Sequence, residues 1–275
     1  MSSERVFEFT KDNIDVYLKE VAKEYRKMVG KQVPAEVTLI GGASALLNYG
    51  FRDMTTDVDA LFVASSAMKD AINKVGDRFE LPNGWLNDDF RKTASYTPKI
   101  SQYSEYYRTF SNILEVRTIS REYLIAMKLR SGRLYKNDRS DVVGVLLEHY
   151  LADNPITIDM VKKATTDLYD DWLAIPESSR IFIEETVEGG NYQERYKLIR
   201  SEEQETKESL LEFEKDYPGR LNERNIEDVV STLRNKREGK KESVIEKLHQ
   251  KKREAAKLNA SLNKSKGRSR GDVIE

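Results

Sequence analysis

The chain has 275 residues, of which 39% are hydrophobic and 34% are charged, and its net charge at neutral pH is -1. This composition supports one large domain or two small ones. The absence of cysteine excludes disulfides, thiolate zinc sites and cysteine nucleophiles. No apolar run approaches the roughly 18 residues needed to cross a bilayer, and the first residues lack the apolar segment of a secretory signal. We therefore expect a cytoplasmic protein without membrane contact.

Histidine chemistry is also poorly supported. The two histidines, His149 and His249, lie far apart in the sequence, so a Ser-His-Asp triad or a histidine zinc site is not indicated. Any catalysis would then depend on carboxylates, hydroxyls, lysine and a bound hard cation.

The first predicted element is an amphipathic helix over residues 12–28. Its apolar positions form one stripe, and Gly30 and Pro34 end it. We interpret this helix as scaffold that packs on a following sheet.

A strand, a glycine pair and a short helix follow. Residues 37–40 are β-branched and aliphatic, Gly41 and Gly42 come next, and residues 43–49 are apolar with helical character. Glycines at a strand-to-helix turn let a phosphate approach the backbone N–H groups at the positive end of the helix. The pattern therefore indicates a phosphate-binding turn.

The next predicted strand carries two aspartates. Asp57 and Asp59 are two residues apart, so they share one face of the strand while Val58 points into the core. Two carboxylates close to a phosphate-binding turn favour a site for Mg²⁺ over a salt-bridge surface. An alternative is a surface loop with two solvated aspartates.

Residues 65–98 are predicted to form a helix, over 65–78, and then an irregular segment. Trp85 and Phe90 in that segment fit either the core or a nucleobase pocket. The strand predicted over residues 112–120 places Glu115 and Arg117 on one face. An acid in the middle of a short strand is unusual, and an ion pair with Arg117 is one explanation for it.

Residues 121–151 are predicted to form two helices with a regular series of charges. Lys128, Arg133, Asp138 and Asp141 follow the spacing K-x4-R-x4-D-x2-D. Ion pairs between the helix ends would explain the series without any functional role.

The remainder of the chain is predicted to be helical, with a basic tail. Residues 236–275 contain 13 Lys/Arg and 6 Asp/Glu, which gives a net charge of +7. The tail either meets a polyanion or an acidic partner, or it is disordered and only solubilising. We divide the chain into a domain over residues 1–151, a helical domain over 152–237 and a basic tail over 238–275.

The motif G-G-x-S, from Gly41 to Ser44, followed by D-x-D on the next strand resembles the DNA polymerase β-like nucleotidyltransferase superfamily. With the charged series that begins at Lys128, the chain resembles the toxin-like branch of type IV toxin–antitoxin and abortive-infection nucleotidyltransferases. The resemblance covers residues 37–151. It implies an α+β fold, in which a small mixed sheet with flanking helices precedes a helical C-terminal half.

The resemblance also implies site residues and a reaction. Metal ligands for Mg²⁺ or Mn²⁺ would be Asp57, Asp59 and Glu115, and these three with Lys128 and Asp141 would be catalytic. The nucleoside triphosphate would be bound by Gly41, Gly42, Ser44, Lys128 and Arg133. The implied reaction transfers a nucleoside monophosphate to an RNA, with the tRNA 3′ end as the first candidate, or to a protein hydroxyl. A cognate antitoxin is an implied partner. The alternative is a non-catalytic module on the same fold that senses nucleotide or RNA, or that binds a partner.

Overall fold

The structure is a computed structural model that describes residues 7–63, 65–222 and 224–236. Predictions about the basic tail and His249 lie outside the described residues. The elements in chain order are α1 (Lys11–Val29), β1 (Ala35–Leu39), α2 (Gly41–Asn48), β2 (Val58–Phe62), α3 (Ser66–Phe79), β3 (Leu86–Asn87), β4 (Glu105–Phe110), β5 (Leu114–Thr118), α4 (Arg121–Ser131), α5 (Asp138–Leu151), α6 (Ile158–Tyr169), α7 (Glu177–Gly189) and α8 (Tyr192–Asp216).

The strands form one mixed sheet in the order β3-β2-β1-β5-β4. The central strand β1 pairs antiparallel with β2 and parallel with β5. Gly41 and Gly42, which we call the glycine turn, lie at the carboxyl end of the central strand because α2 follows β1 directly. The mixed sheet, its flanking helices and the helical C-terminal part confirm the predicted fold class.

Each face of the sheet is covered by its own hydrophobic core. The first core joins α1 and α3 to the sheet through residues such as Leu18, Val37 and Met68. The second core joins the opposite face to α4–α7 through residues such as Leu61 and Leu124. The sheet is thus held between two helical layers, and this fixes the strand ends that carry the glycine turn and the aspartates.

The structure adds one strand that was not predicted and decides between the two interpretations of Trp85. Residues 105–110 form β4, which the sequence did not identify as a strand because most of its side chains on both faces are exposed. Trp85 belongs to the first core, where it is 3% exposed and stacks on Phe9 at a ring-centroid distance of 6.0 Å. It therefore fills the core and does not line a nucleobase pocket.

The chain divides into two compact units after Gln204, within α8. The first unit includes α6 and α7, because Val161 and Ile183 share the second core with Leu124 of α4. The core therefore continues across the division that we expected after residue 151. In the second unit, residues 226–236 are helical and Arg234 donates a hydrogen bond to Thr206 at 3.1 Å.

Among the described residues, the helices are all too short or too polar to traverse a lipid bilayer.

Candidate active site

The glycine turn connects the end of β1 to the first turn of α2. Gly41 has a φ of 57°, a left-handed conformation that residues with a Cβ adopt at a cost. The residue before it, Ile40, occupies the N-cap position without a side-chain hydrogen bond to the helix. The N–H groups of the first turn of α2 thus receive no side-chain cap from Ile40, and the helix presents its positive end there.

Asp59 lies directly beside this turn. The main-chain N–H of Ile40 donates to the carbonyl oxygen of Asp59 at 3.0 Å, because β1 and β2 are antiparallel neighbours. A Cβ added to Gly41 would lie 3.7 Å from Oδ2 of Asp59. The structure therefore brings a carboxylate of the D-x-D motif to the positive end of α2.

Asp57 and Asp59 form what we call the carboxylate pair. Asp57 precedes β2 and accepts a hydrogen bond from the Thr55 hydroxyl at 3.3 Å, while Val58 between them is fully buried. Burial, followed by the neighbouring charge of Asp57, raises the pKa of Asp59, and Lys136, Arg133 and Lys128 act in the opposite direction. The charges of Asp57 and Asp59 therefore repel each other, and nearby cations offset part of that repulsion.

Gly42 has a second role that the sequence did not reveal. A Cβ at this position would lie 2.6 Å from the Thr55 hydroxyl oxygen and 2.8 Å from Nη2 of Arg52. Both distances are shorter than van der Waals contact, so only glycine leaves room for these side chains. Gly42 thus allows the Arg52 guanidinium to pass beside the first turn of α2.

Arg52 belongs to what we call the buried charge network, which consists of Arg52, Lys128, Asp138 and Asp141. Nη1 of Arg52 donates to both carboxylate oxygens of Asp141 at 2.7 Å. Nζ of Lys128 lies 2.6 Å from Asp141 and 3.0 Å from Asp138. The network links the turn before β2 to α4 and to the first turn of α5.

Lys128 and Asp138 keep their charges although they are buried. Burial alone would raise the pKa of Asp138, but Lys128 and Arg133 overcome that effect and hold the pKa below its usual range. Burial would lower the pKa of Lys128, but Asp141 and Asp138 more than compensate and raise it. Lys128 is therefore an ammonium ion bound between two carboxylates, and its side chain is 8% exposed. This placement does not fit the predicted direct contact of Lys128 with a triphosphate.

Arg133 lies at the edge of this network. Its Nε donates to Oδ2 of Asp138 at 3.0 Å, and its side chain is 33% exposed. Asp141 is buried and contacts Arg52 and Lys128, so it positions these two cations and does not face the solvent.

Ser44 does not have the role that its motif implied. Its side chain is fully buried, and the hydroxyl donates to the carbonyl oxygen of Ile119. The same hydroxyl accepts the N–H of Ile119 at 2.7 Å. Ser44 therefore fastens α2 to the segment after β5, and its hydroxyl is not directed at a phosphate.

The structure separates Glu115 from the carboxylate pair. The parallel register pairs Glu115 with Glu36, whereas Asp59 accepts the N–H of Ile40, which follows the end of β1 four residues after Glu36. At about 3.3 Å per residue, that offset alone is about 13 Å. Glu115 instead accepts a hydrogen bond from Arg117 at 2.8 Å. Glu115 therefore cannot share a metal ion with Asp59. The ion pair with Arg117 explains the acid in the middle of this strand.

Sequence reasoning also missed Glu203, which lies on α8. Its Oε1 accepts the N–H of Ser140 in the first turn of α5 at 3.0 Å. Burial raises the pKa of Glu203 to about 7, with a further contribution from the charge of Asp141. Glu203 thus caps the helix that carries Asp138 and Asp141. No local signal could have identified it, since it lies 63 residues from Ser140.

The donor set at the carboxylate pair fits a hard divalent cation that brings ligands of its own. The described residues contain no cluster of three or more acidic, histidine or cysteine side chains that could hold a metal ion. Mg²⁺ commonly binds through one or two carboxylates and completes its shell with waters and substrate phosphates. Asp57 and Asp59 supply two carboxylates, and Asp59 lies beside the positive end of a helix, where substrate phosphates are favoured.

Comparison with known proteins agrees with this geometry. The family described as "Nucleotidyltransferase of unknown function (DUF6036)" matches residues 16–197, which include every element from β1 to α7. No curated protein and no solved structure matches the chain. Because the match covers more than half of the chain, the protein belongs to the DUF6036 family of nucleotidyltransferases.

Proposed function

We propose that the protein transfers a nucleoside monophosphate from a nucleoside triphosphate to a hydroxyl group, with Mg²⁺ or Mn²⁺ held by Asp57 and Asp59. The observation that carries this proposal is the position of Asp59 against Gly41, beside the first turn of α2. This chemistry needs a phosphate-binding turn next to metal-binding carboxylates, and the position of Asp59 beside Gly41 supports such an arrangement.

In the proposed reaction, the acceptor hydroxyl oxygen forms a bond to the α-phosphorus. The bond from that phosphorus to the bridging oxygen breaks, pyrophosphate leaves, and the hydroxyl proton passes to solvent. When bound, the divalent cation neutralises phosphate charge and activates the acceptor oxygen. The turn at Gly41 and Gly42 offers N–H groups to the phosphates, and Arg133 supplies a partly exposed positive charge.

The proposed acceptor is an RNA, with the tRNA 3′ end first, and a protein hydroxyl is second. This choice and the proposed role as a toxin or phage-defence protein with a cognate antitoxin are supported by the motif resemblance. A gene for a small regulator directly upstream would support that role further.

The test is transfer of label from an α-phosphate-labelled nucleoside triphosphate to total RNA in the presence of Mg²⁺. We expect Asp57→Asn and Asp59→Asn to abolish transfer, because each removes a metal ligand. Asp53→Asn is the matched control, since Asp53 is an exposed acid in the same turn, and we expect it to retain activity. Equal transfer by the wild type and the Asp57→Asn, Asp59→Asn double variant would overturn the proposal.

A second candidate is a non-catalytic nucleotide sensor on the same fold. It is favoured by one observation: the described residues place only two carboxylates at the glycine turn, without a third acid as general base. Calorimetry separates the candidates. Tight nucleotide binding without product on tRNA, total RNA or protein acceptors would favour the sensor.

A further inference from the structure

We propose that Lys136 serves as a resident counter-cation for the carboxylate pair, and that it moves to the triphosphate when a metal–nucleotide complex binds. This inference rests on the proposed function, because it assumes a divalent cation at Asp57 and Asp59. It assigns the triphosphate contact to Lys136 in place of Lys128.

The position of Lys136 makes this role possible. It lies on the connection between α4 and α5, and its Nζ is 3.8 Å from Oδ2 of Asp57. Its charge acts on Asp59 as well. A single lysine thus offsets part of the repulsion between the two carboxylates.

The ion pair is loose enough to be exchanged. Its length exceeds that of a hydrogen bond, and the side chains of Lys136 and Asp57 are 46% and 45% exposed. Exposed pairs of this kind contribute little to stability. The flexible stem of lysine lets the ammonium move several ångströms without any change in the backbone.

The other cations near the site are less able to move. Lys128 is enclosed by Asp138 and Asp141, and Arg52 is bound to Asp141 through both carboxylate oxygens. Arg133 donates to Asp138 from its backbone and its side chain. Lys136 has the most exposed side chain of the four and makes a single ion pair among the described residues.

A lysine in this position couples the binding of metal and nucleotide. In the protein alone, its positive charge opposes a divalent cation at the same carboxylates. Once a triphosphate is bound, the positive charge of Lys136 attracts the phosphates and no longer competes with the divalent cation. Lys136 should therefore weaken binding of the metal alone and strengthen binding of the metal–nucleotide complex, which is a positive coupling between the two ligands.

The experiment is a titration of the full chain with Mn²⁺, in which electron paramagnetic resonance measures the bound metal. It is carried out with and without a non-hydrolysable nucleoside triphosphate. The variants are Lys136→Gln and Lys136→Arg, with Lys163→Gln as the matched control. Lys163 is an exposed lysine that pairs with Asp167 within α6. We expect Lys136→Gln to bind Mn²⁺ alone about five-fold more tightly, which is the effect of removing a unit charge a few ångströms away in a largely aqueous environment.

The same variant should bind the Mn²⁺–nucleotide complex about five-fold more weakly, while Lys136→Arg and Lys163→Gln behave like the wild type. If the wild type binds Mn²⁺ and Lys136→Gln changes neither affinity, the role of Lys136 is wrong and the proposed function stands. If the wild type binds Mn²⁺ no better than the Asp57→Asn, Asp59→Asn double variant, with or without nucleotide, both proposals fail.

Discussion

The carboxylate pair and the buried charge network are neighbours built from the same residue types, but they differ in how their charges are balanced. In the network, two aspartates and two cations contact one another at 2.6–3.0 Å, and all are largely removed from water. In the pair, the charge of Asp57 acts on Asp59, and Nζ of the half-exposed Lys136 lies 3.8 Å from Asp57. The two aspartates of the network contact two cations, whereas the two carboxylates of the pair share one loosely bound lysine. This difference supports a structural role for the network, and it agrees with the chemical role that we propose for the pair.

The largest expected effect comes from breaking the network. Lys128→Met should lower the free energy of unfolding by about 3–5 kcal/mol, because it leaves Asp138 and Asp141 buried without their shared cation. Chemical denaturation at pH 7 measures this loss. An equally stable Lys128→Met variant would show that the network does not organise the ends of α4 and α5.

Glu203, which caps the helix carrying two residues of the network, makes the stability of the folded protein depend on pH. Its folded-state pKa of about 7 lies above its ordinary value of 4.5, so the folded protein binds this proton more tightly than the unfolded chain does. The free energy of unfolding should therefore fall as pH rises from about 4.5 to about 7, by about 3 kcal/mol from this group.

Glu203→Gln should remove that decline and make the protein more stable than the wild type at pH 8. Thermal unfolding at pH 5 and pH 8 measures both effects. Glu194→Gln is the control, since Glu194 is exposed on the same helix and should leave the pH dependence unchanged. If the stability of Glu203→Gln falls between pH 5 and pH 8 as much as that of the wild type, another group causes the pH dependence.

Gly42 connects the two regions, so a Cβ there should affect both. Gly42→Ala places an atom within 3 Å of Thr55 and Arg52, and overpacking of this kind costs about 1–3 kcal/mol. We also expect weaker nucleotide binding, because Arg52 and the first turn of α2 must move apart. Gly189→Ala is the control, since a Cβ there meets no atom within 4 Å. Calorimetry with a nucleoside triphosphate and denaturation of both variants test this expectation, and unchanged values for Gly42→Ala would contradict it.

The smallest effect on stability should come from the pair itself. Asp57→Asn removes a half-exposed charge and its repulsion with Asp59, so the free energy of unfolding should change by about 0.5 kcal/mol or less. Transfer activity should nevertheless be lost. A fall in stability comparable to that of Lys128→Met would mean that the pair is structural as well.

The parts of this architecture that depend on local sequence were predictable. Composition and spacing over fewer than thirty residues predict the first strand, the glycine pair and the strand of the D-x-D motif. The amphipathic pattern of α1 is a local signal of the same kind. These signals are local because backbone conformation and strand alternation are set by neighbouring residues.

The remainder depends on contacts between distant segments. Arg52 and Asp141 lie 89 residues apart, and only the packing of α5 against the turn before β2 brings them together. The motif at Ser44 suggested a phosphate contact, but the hydroxyl bonds to Ile119, 75 residues away. Glu115 occupies the expected strand, and its distance from Asp59 follows from a sheet register that a single sequence does not specify.

We propose that Asp57 and Asp59 hold a divalent cation beside the glycine turn. Crystals grown with Mn²⁺ and a non-hydrolysable nucleoside triphosphate would locate the metal through the anomalous scattering of manganese. We expect a peak between the two carboxylates, with the triphosphate at the first turn of α2. A nucleotide bound elsewhere, or manganese away from Asp57 and Asp59, would contradict it.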